Sequence, residues 1–383
     1  AFNGGKYSKM IHGGQTVDEL TGAVNPPIYQ TSTYKQDGLG VLRNGYEYSR
    51  SKNPTRTALE GLIADLEEGQ AGFAFGSGMA AVTAVAMLVD SGDHIVVGSD
   101  VYGGTFRVFT QVLNRIGIHS TFVDTRDETA VKQAIQDNTK MLYLETPTNP
   151  LLNVTNIKAM VNIAKENHLI SVVDNTFMTP YFQNPLNLGA DIVLHSATKY
   201  IGGHSDVVAG LVVTNTDDLT ERIEFIQNST GGVLGPQDSY LLVRGIKTLA
   251  IRMEQTEKSS LKIVDYLANH EKVTKVYHPS LLDQESKAIH DAQASGYGGM
   301  ISFDVGSSEN AKKLVEHFEV FTIAESLGAV ESLVCVPSEM THASIPRERR
   351  LEIGITDGLV RISVGIEDVE DLLNDLEQAL NTI

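Results

Sequence analysis

The chain has 383 residues, with 48 acidic and 30 basic side chains and a formal net charge of -18. At about 150 residues per domain, this length predicts two or three domains with a substantial core and excludes a small disulfide-stapled or zinc-stapled module. The negative charge repels phosphate groups, so neither nucleic acid nor an anionic membrane surface is expected as a partner.

Cysteine content and apolar stretches bear on the compartment. Cys335 is the single cysteine, which excludes an internal disulfide, and it follows an apolar run typical of a buried, unreactive thiol. The longest nearly unbroken apolar stretch, Met79–Val89, is about half as long as a membrane span. The first residues lack the basic and apolar regions of a secretory signal. These features predict a cytoplasmic protein without a membrane partner.

The chain is expected to begin with an arm. Residues 1–50 are rich in Gly, Thr, Tyr and Pro and show little periodicity, which predicts an extended conformation. A helix is expected from Pro54 onward, because Leu59, Leu62 and Leu66 share one helical face and Gly69 can end it.

Short apolar runs then alternate with helical stretches. Strands are predicted at His94–Gly98, Ile118–Asp124, Met141–Glu145, Ile170–Asp174, Ala190–His195 and Val207–Thr214. This alternation predicts an α/β fold with a largely parallel sheet covered by helices on both faces. Ligands bind such sheets at the carboxyl ends of the strands.

A second region follows a long helix expected from Ser239 to about His270. Its strands are predicted at Val273–His278, Met300–Val305 and Leu359–Val364, and an acidic amphipathic helix is predicted at Glu367–Leu380. We therefore predict an arm at residues 1–50, a large α/β domain at 51–250 and a smaller C-terminal α/β domain at 251–383.

Two ionisable residues lie at predicted strand ends. Asp174 ends one strand, and Lys199 comes shortly after the next. If the two strands are near neighbours, the acid and the amine face one crevice. A buried ion pair explains a lone acid and lysine equally simply, so a third element is needed to indicate catalysis.

That third element is the small-residue turn Gly76–Gly78 before an apolar helix. Free N–H groups at a helix N-terminus can bind phosphate, although such a turn is often only a helix cap. Ser196 and Thr198 add hydroxyl groups beside Lys199. A phosphate site, a strand-end acid and a strand-end lysine are together what pyridoxal phosphate requires: the lysine forms a Schiff base, and the acid keeps the ring nitrogen protonated.

Other functions fit less well. A nicotinamide dehydrogenase predicts a strand before the glycine turn, yet Phe73–Phe75 is not a convincing one, and Lys199 is left unexplained. A two-lobed solute-binding protein predicts an export signal and needs no amine beside an acid. The 11 histidines lack the spacing of a zinc site. We interpret His195 and His204 as residues that support or cap the lysine segment.

The lysine segment Ser196–Asp206 resembles the cofactor-lysine signature of the pyridoxal phosphate-dependent enzymes of cysteine and methionine metabolism, the cystathionine γ-synthase and γ-lyase family. Other segments resemble family motifs in the family order: Tyr46–Arg50, Asn53–Arg56, Asp100–Thr105, Glu145–Pro150, Val172–Phe177, Ala324–Gly328 and Arg361–Gly365. The resemblance covers essentially the whole chain. It implies the aspartate-aminotransferase-like fold (fold type I) and a homotetramer built from two dimers with shared active sites.

The resemblance also implies roles around the cofactor. Lys199 is expected to bind it covalently and to move protons among the substrate carbons, Asp174 to pair with its ring nitrogen, and Tyr102 to stack on the ring and assist proton transfer. The expected phosphate ligands are Gly78, Met79, Ser196 and Thr198 of the same chain and Tyr48 and Arg50 of a neighbouring subunit.

The amino-acid substrate is expected at a cluster from both domains. Arg361 matches the family arginine that binds the α-carboxylate, where a planar guanidinium can make two parallel hydrogen bonds. Asn149 and Ser326 are expected to assist it. Without the surrounding motif, a salt bridge between domains explains Arg361 as well.

The resemblance favours γ-cleavage of L-cystathionine into L-cysteine, 2-oxobutanoate and ammonia. Gly104 occupies the position where methionine γ-lyases carry a cysteine. Glu325 resembles the γ-lyases and γ-synthases, whereas β-lyases tend to have an apolar or aromatic residue there, and its carboxylate could bind the distal amino group of cystathionine. A solvated acid near a loop is the simpler interpretation of Glu325, and γ-synthase and β-lyase activities remain alternatives.

Overall fold

The computed structural model describes residues 2–15 and 17–383, whose helices surround two β-sheets. The strands are β1 Ala71–Phe75, β2 His94–Gly98, β3 His119–Val123, β4 Thr139–Glu145, β5 Ile170–Asp174, β6 Ile192–Ser196, β7 Gly210–Thr214, β8 Lys275–Tyr277, β9 Met300–Asp304, β10 Thr322–Ile323, β11 Leu333–Cys335 and β12 Leu359–Ser363.

The helices lie on and between the sheets. They are α1 Lys6–His12, α2 Pro54–Glu67, α3 Gly78–Ala86, α4 Gly103–Arg107, α5 Glu128–Ala134, α6 Ile157–Glu166, α7 Thr179–Phe182, α8 Asp217–Thr230, α9 Pro236–Ile246, α10 Leu249–Ala268, α11 Gln284–Gln293, α12 Ser308–Glu316, α13 Arg347–Glu352 and α14 Val369–Leu380. Within residues 2–15 and 17–383, no helix combines the length and apolar character needed to cross a membrane.

The larger sheet has the strand order β1-β7-β6-β5-β4-β2-β3. Strands β6, β5, β4, β2 and β3 pair in parallel, whereas β7 is antiparallel to both β6 and β1. The mostly parallel sheet is therefore confirmed. Its middle strands are almost completely buried, because apolar clusters cover both faces.

The smaller sheet has the order β10-β11-β12-β9-β8 and is mainly antiparallel. The apolar side of α14 packs on its core through Leu372, Leu376 and Leu380. The short strands β10 and β11 were not predicted, because two or three residues are too few to show periodicity.

Strand β1 corrects the sequence prediction, which had no strand at Phe73–Phe75. Its small residues hide the apolar pattern, but they let α2 pack closely: a Cβ at Gly72 would lie 2.2 Å from the carbonyl oxygen of Glu60. The N–H of Ala74 also donates to Glu60 Oε2 at 2.8 Å. Strand identity here is set by tertiary packing, which overrides local propensity.

The composition predicted an extended arm, but part of the arm is helical. Helix α1 buries Met10 in the main core and lies against α2. A Cβ at Gly14, where φ is +62°, would lie 2.1 Å from the Leu62 nitrogen, so this turn requires glycine. Beyond it, Leu20 and Leu39 have almost fully exposed side chains.

The long helix expected from Ser239 to His270 is instead two helices, α9 and α10, separated at Lys247 and Thr248. The buried Arg252 guanidinium donates to the carbonyl oxygens of Gly245 and Tyr200, each at 2.6 Å. These bonds use carbonyls at the end of α9 and tie the helix break to the segment that follows Lys199.

Candidate active site

A cavity of about 230 Å³ lies at the carboxyl ends of β4, β5 and β6. This is where a parallel sheet is expected to bind ligands, because side chains from adjacent strand ends converge there. The predicted site residues that line it are Gly78, Met79, Tyr102, Asn149, Asp174, Ser196, Thr198 and Lys199.

Lys199 connects this cavity to the smaller sheet. Its Nζ donates to Ser326 Oγ at 3.0 Å. Ser326 has a φ of +97°, a conformation that costs a non-glycine residue free energy and is often found at functional sites. Arg361 donates to the Ser326 carbonyl oxygen at 2.9 Å and helps to hold this conformation.

The Lys199 amine is poised for nucleophilic attack. Burial and then the positive charge of Arg361 lower the pKa of Lys199 to about 8, although Glu325 and Cys335 oppose the shift. A substantial fraction of the amine is therefore neutral near physiological pH. The neutral form is the one that attacks a carbonyl carbon or accepts a proton.

Asp174 is held as a hydrogen-bond acceptor. Its Oδ1 accepts from the N–H of Thr176 at 3.0 Å and from the Thr176 hydroxyl at 2.6 Å. Burial raises the pKa of Asp174, and these two bonds and the nearby His195 oppose the shift by favouring the ionised form. His195 does not line the cavity: its Nε2 lies 2.5 Å from Glu67 Oε2, and both side chains are fully buried.

The predicted anion site is built at the start of α3. Ser77 caps the helix by accepting from the Ala80 N–H at 3.0 Å, which leaves the N–H groups of Gly78 and Met79 in the first turn without helical acceptors. A Cβ at Gly78 would lie 3.0 Å from Ser196 Oγ, so glycine keeps the space between them open. The Thr198 hydroxyl is already bonded to the Ala209 backbone.

These residues fit pyridoxal phosphate. Free amide groups and the Ser196 hydroxyl suit the phosphate, Asp174 suits the ring nitrogen, and Lys199 suits the aldehyde carbon. The glycine at position 78 supports this assignment, because a side chain there would fill the space that the amides face.

Tyr102 lines the cavity immediately before α4. Two glycines follow it for steric reasons: a Cβ at Gly103 would lie 2.4 Å from the Thr341 carbonyl oxygen, and one at Gly104 would lie 2.6 Å from Tyr102 Cε2 and 3.2 Å from Met79 Sδ. Gly104 therefore determines where the Tyr102 ring can lie.

Replacing Gly104 with alanine should displace the Tyr102 ring and lower kcat/KM by about 10- to 100-fold, since small misplacements of a group at the reacting centre are costly. Steady-state kinetics and the absorbance spectrum of the bound cofactor measure the effect. Gly5→Ala is the matched control, because nothing lies within 4 Å of a Cβ at that position. Equal kinetics in the two variants would contradict this account of Gly104.

The buried Arg361 faces Asn149 and Ser326. Its Nη1 donates to Asn149 Oδ1 at 3.0 Å, and its Nη2 donates to the Ser326 carbonyl. No carboxylate among residues 2–15 and 17–383 forms an ion pair with it, so the salt bridge between domains that could equally have explained Arg361 is absent there. A buried guanidinium bonded only to neutral oxygens is well suited to an anionic ligand.

Glu325 is exposed next to Ser326, and its charge acts on both Lys199 and Cys335. Cys335 is buried as expected and pairs with Arg361 across β11 and β12. Burial raises the pKa of the Cys335 thiol, which keeps it in the less reactive protonated form.

Tyr48 and Arg50 are not brought to the Lys199 cavity of their own chain. Arg50 Nε donates to the Asn228 carbonyl at 3.0 Å, its guanidinium lies 5.2 Å from the Tyr48 ring centre, and the Tyr48 side chain is 42% exposed. Both residues line a separate shallow cavity of about 170 Å³ with Ser32 and Arg56.

Two site residues were not singled out from the sequence. Glu145 lines the cavity at the end of β4. Its position at the end of a predicted strand, like that of Asp174, could have identified it. His342 Nε2–H donates to the Asn149 carbonyl at 3.0 Å and so positions the residue that bonds Arg361. No local pattern marks His342, because its partner is 193 positions away.

Comparisons with known proteins identify the family of the chain. Residues 7–381 match the family described as Cys/Met metabolism PLP-dependent enzyme. The chain is 62% identical to the cystathionine γ-lyase of Bacillus subtilis over 99% of this chain and 100% of that protein. It is 57% identical to the cystathionine β-lyase of Lactococcus lactis subsp. cremoris (strain MG1363), over 97% and 98% of the two chains.

A solved structure is similarly close. The crystal structure of cystathionine γ-lyase from Lactobacillus plantarum complexed with L-serine superposes with a TM-score of 0.97 at 52% identity, covering 99% of both chains. The chain belongs to the family of pyridoxal phosphate-dependent enzymes of cysteine and methionine metabolism. The predicted fold type I, the cofactor and the class of carbon–sulfur lyase are thereby confirmed.

Proposed function

We propose that the chain is a cystathionine γ-lyase, which cleaves L-cystathionine with one water to L-cysteine, 2-oxobutanoate and ammonia. The observation that carries this proposal is Glu325, an exposed carboxylate beside Ser326 whose charge reaches the Lys199 amine. Cystathionine has a second ammonium group far from the bond that breaks, and an exposed carboxylate whose charge acts on Lys199 can bind it. The 62% identity to a γ-lyase supports the same assignment.

Pyridoxal phosphate, when bound, supplies an electron-withdrawing ring that stabilises negative charge at the substrate carbons. The chain holds it through the roles we propose for its residues. The amides of Gly78 and Met79 and the Ser196 hydroxyl bind the phosphate, with Thr198 supporting this loop through its bonds to Ala209. Asp174 would keep the ring nitrogen protonated, and Tyr102 would stack on the ring and assist proton transfer.

Lys199 is proposed to move protons. Its Nζ removes a proton first from the substrate α carbon and then from the β carbon, and the electron pair left at the β carbon forms a double bond to the γ carbon as the Cγ–S pair leaves with sulfur. The protons removed are returned to the leaving sulfur and to the substrate carbons. The pKa of about 8 suits a group that must both accept and donate protons near neutral pH. The Ser326 hydroxyl, 3.0 Å from Nζ, fixes the position of the amine by accepting its hydrogen bond.

Arg361 is proposed to bind the substrate α-carboxylate. Its guanidinium carries five N–H donors, of which two are used by Asn149 and the Ser326 carbonyl. The remaining donors can pair with a carboxylate, and Asn149 keeps the guanidinium in place. Because Ser326 contacts both Lys199 and Arg361, a substrate bound to Arg361 is expected to have its α carbon near the Lys199 amine.

Product analysis tests the function. With L-cystathionine, the enzyme should release cysteine and 2-oxobutanoate, and Glu325→Gln should raise KM by about 10-fold because the distal ammonium loses its charged partner. Glu331→Gln is the matched control, since Glu331 is an exposed acid on the same loop. Homocysteine with pyruvate would instead mean β-lyase activity. Synthesis of cystathionine from an activated homoserine ester, without appreciable cleavage, would mean γ-synthase activity.

We also propose a homotetramer of two dimers in which Tyr48 and Arg50 bind the phosphate in a neighbour's active site. Their exposure and their distance from the chain's own Lys199 cavity support this arrangement. The exposed apolar side chains of Val17, Leu20, Val24 and Leu39 give the arm a surface suited to burial against another subunit.

A further inference from the structure

Two carboxylates meet at the floor of the cavity. Parallel strands β4 and β5 place Glu145 directly opposite Asp174 in register, so both side chains point to the same face of the sheet. Each residue is only 9% exposed, and both line the cavity. Two buried carboxylates at adjacent strand ends repel each other if both are ionised.

Among the described residues, no cation compensates for this repulsion near Glu145. Within residues 2–15 and 17–383, Glu145 forms no ion pair with a lysine, arginine or histidine. Lys199 lines the same cavity, but its amine is bonded to Ser326, and its charged neighbours are Arg361 and Glu325. A buried carboxylate without a partner charge is strongly disfavoured in its ionised form.

The other groups near Glu145 further disfavour the ionised form of its carboxyl group. Asp100, from the turn after β2, adds a second negative neighbour, and Tyr143 on β4 is a buried phenol that supplies no positive charge. The backbone amides of Asn149 and Tyr102 only partly oppose these effects. Burial is the largest cause and raises the pKa of Glu145 well above its ordinary value.

The two acids differ in their hydrogen bonds. Asp174 Oδ1 accepts two bonds from Thr176, which stabilise a carboxylate. Glu145 Oε2 is buried and has no hydrogen-bond partner among the described residues. Without a donor at this oxygen, no hydrogen bond stabilises a negative charge there, so the neutral acid is favoured at Glu145.

We propose that Glu145 is a protonated carboxylic acid in the resting enzyme and acts as a positioning residue for Asp174 and the cofactor. The pair then carries one negative charge, located on Asp174, where it balances a protonated ring nitrogen. The Glu145 O–H provides a hydrogen-bond donor in the cavity. This proposal rests on the pyridoxal phosphate site and is independent of which sulfur substrate is cleaved.

Infrared spectroscopy tests the protonation directly. In D2O near neutral pH, the holoenzyme should show the carbonyl stretch of a protonated carboxylic acid that is absent from Glu145→Gln and shifts on ¹³C labelling of glutamate. Glu128→Gln, at an exposed position, is the matched control and should retain the band. Absence of a glutamic acid band that depends on Glu145 would overturn the proposal, whatever products the enzyme forms.

The effect of Asp174 on the protonation of Glu145 can be tested separately, in the full chain after cofactor removal. Asp174→Asn removes the neighbouring charge, so the pH at which the Glu145 band disappears should fall by about one unit or more. A thermal melt of each variant checks that the fold is retained. An unchanged midpoint would show that Glu145 does not share its protonation with Asp174, and would overturn the positioning role.

Discussion

Lys199→Ala should lower kcat for L-cystathionine cleavage by roughly 10³-fold or more, because the variant loses both the amine that binds the cofactor and the group that moves substrate protons. With the cofactor removed from both the variant and the unsubstituted protein, their thermal midpoints should differ by less than about 2 °C, since the Lys199 amine makes one hydrogen bond, to Ser326, and no ion pair among the described residues. Single-turnover kinetics and a melting curve measure the two effects. The cofactor absorbance should also change, because the covalent link is lost.

Lys247→Ala provides the matched control. Burial also lowers the pKa of Lys247, but its amine bonds to the Ile11 carbonyl and to Gln15, outside the cavity. In the unsubstituted chain, the rate of cofactor uptake should rise with pH and level off above about 8, as the Lys199 amine becomes neutral. Retained turnover in Lys199→Ala would contradict the assignment of this lysine.

The Lys199→Ala variant also tests whether the active site is shared between subunits. Lys199→Ala and Arg50→Ala should each be inactive alone, yet co-assembly should restore about a quarter of the activity, since one site in each mixed dimer has both residues. Failure of the mixture to regain activity, with subunit exchange verified by mass, would contradict the role of Arg50 in a neighbour's site.

The parts of the site that could be predicted from local sequence are those built by single strands. Asp174 and the lysine segment follow apolar runs, and the parallel order of β5 and β6 then brings them together. Glu145 also lies at the end of an apolar run. Its pairing with Asp174 could not be predicted, because no local sequence pattern gives the register between β4 and β5.

Contacts between the two sheets could not be predicted from periodicity. Ser326 and Lys199 are 127 positions apart, and Arg361 and Asn149 are 212 apart. The family resemblance supplied these residues, whereas physical reasoning about Arg361 alone left a salt bridge equally plausible. Strand β1 also could not be predicted from periodicity, because its small residues are explained by a tertiary contact, the close approach of α2 at Gly72.

Arg361→Met should lower kcat/KM by about 100-fold, mainly by raising KM, because the substrate α-carboxylate loses a charge-assisted, two-bond partner worth roughly 3 kcal/mol. The thermal midpoint should change little. Two hydrogen bonds to Asn149 and Ser326 are lost, but the chain no longer has to bury a guanidinium that lacks a carboxylate among the described residues. Steady-state kinetics and melting curves separate these effects.

Arg361→Lys distinguishes charge from geometry. The ammonium keeps the charge but lacks the planar fork, so kcat/KM should recover by roughly 10-fold relative to the methionine variant and remain well below that of the unsubstituted enzyme. A substrate analogue without the α-carboxylate should be insensitive to all three residues at position 361. If the methionine variant instead melted many degrees lower with an unchanged KM, Arg361 would be a structural link between the two sheets, and another cation would have to bind the carboxylate.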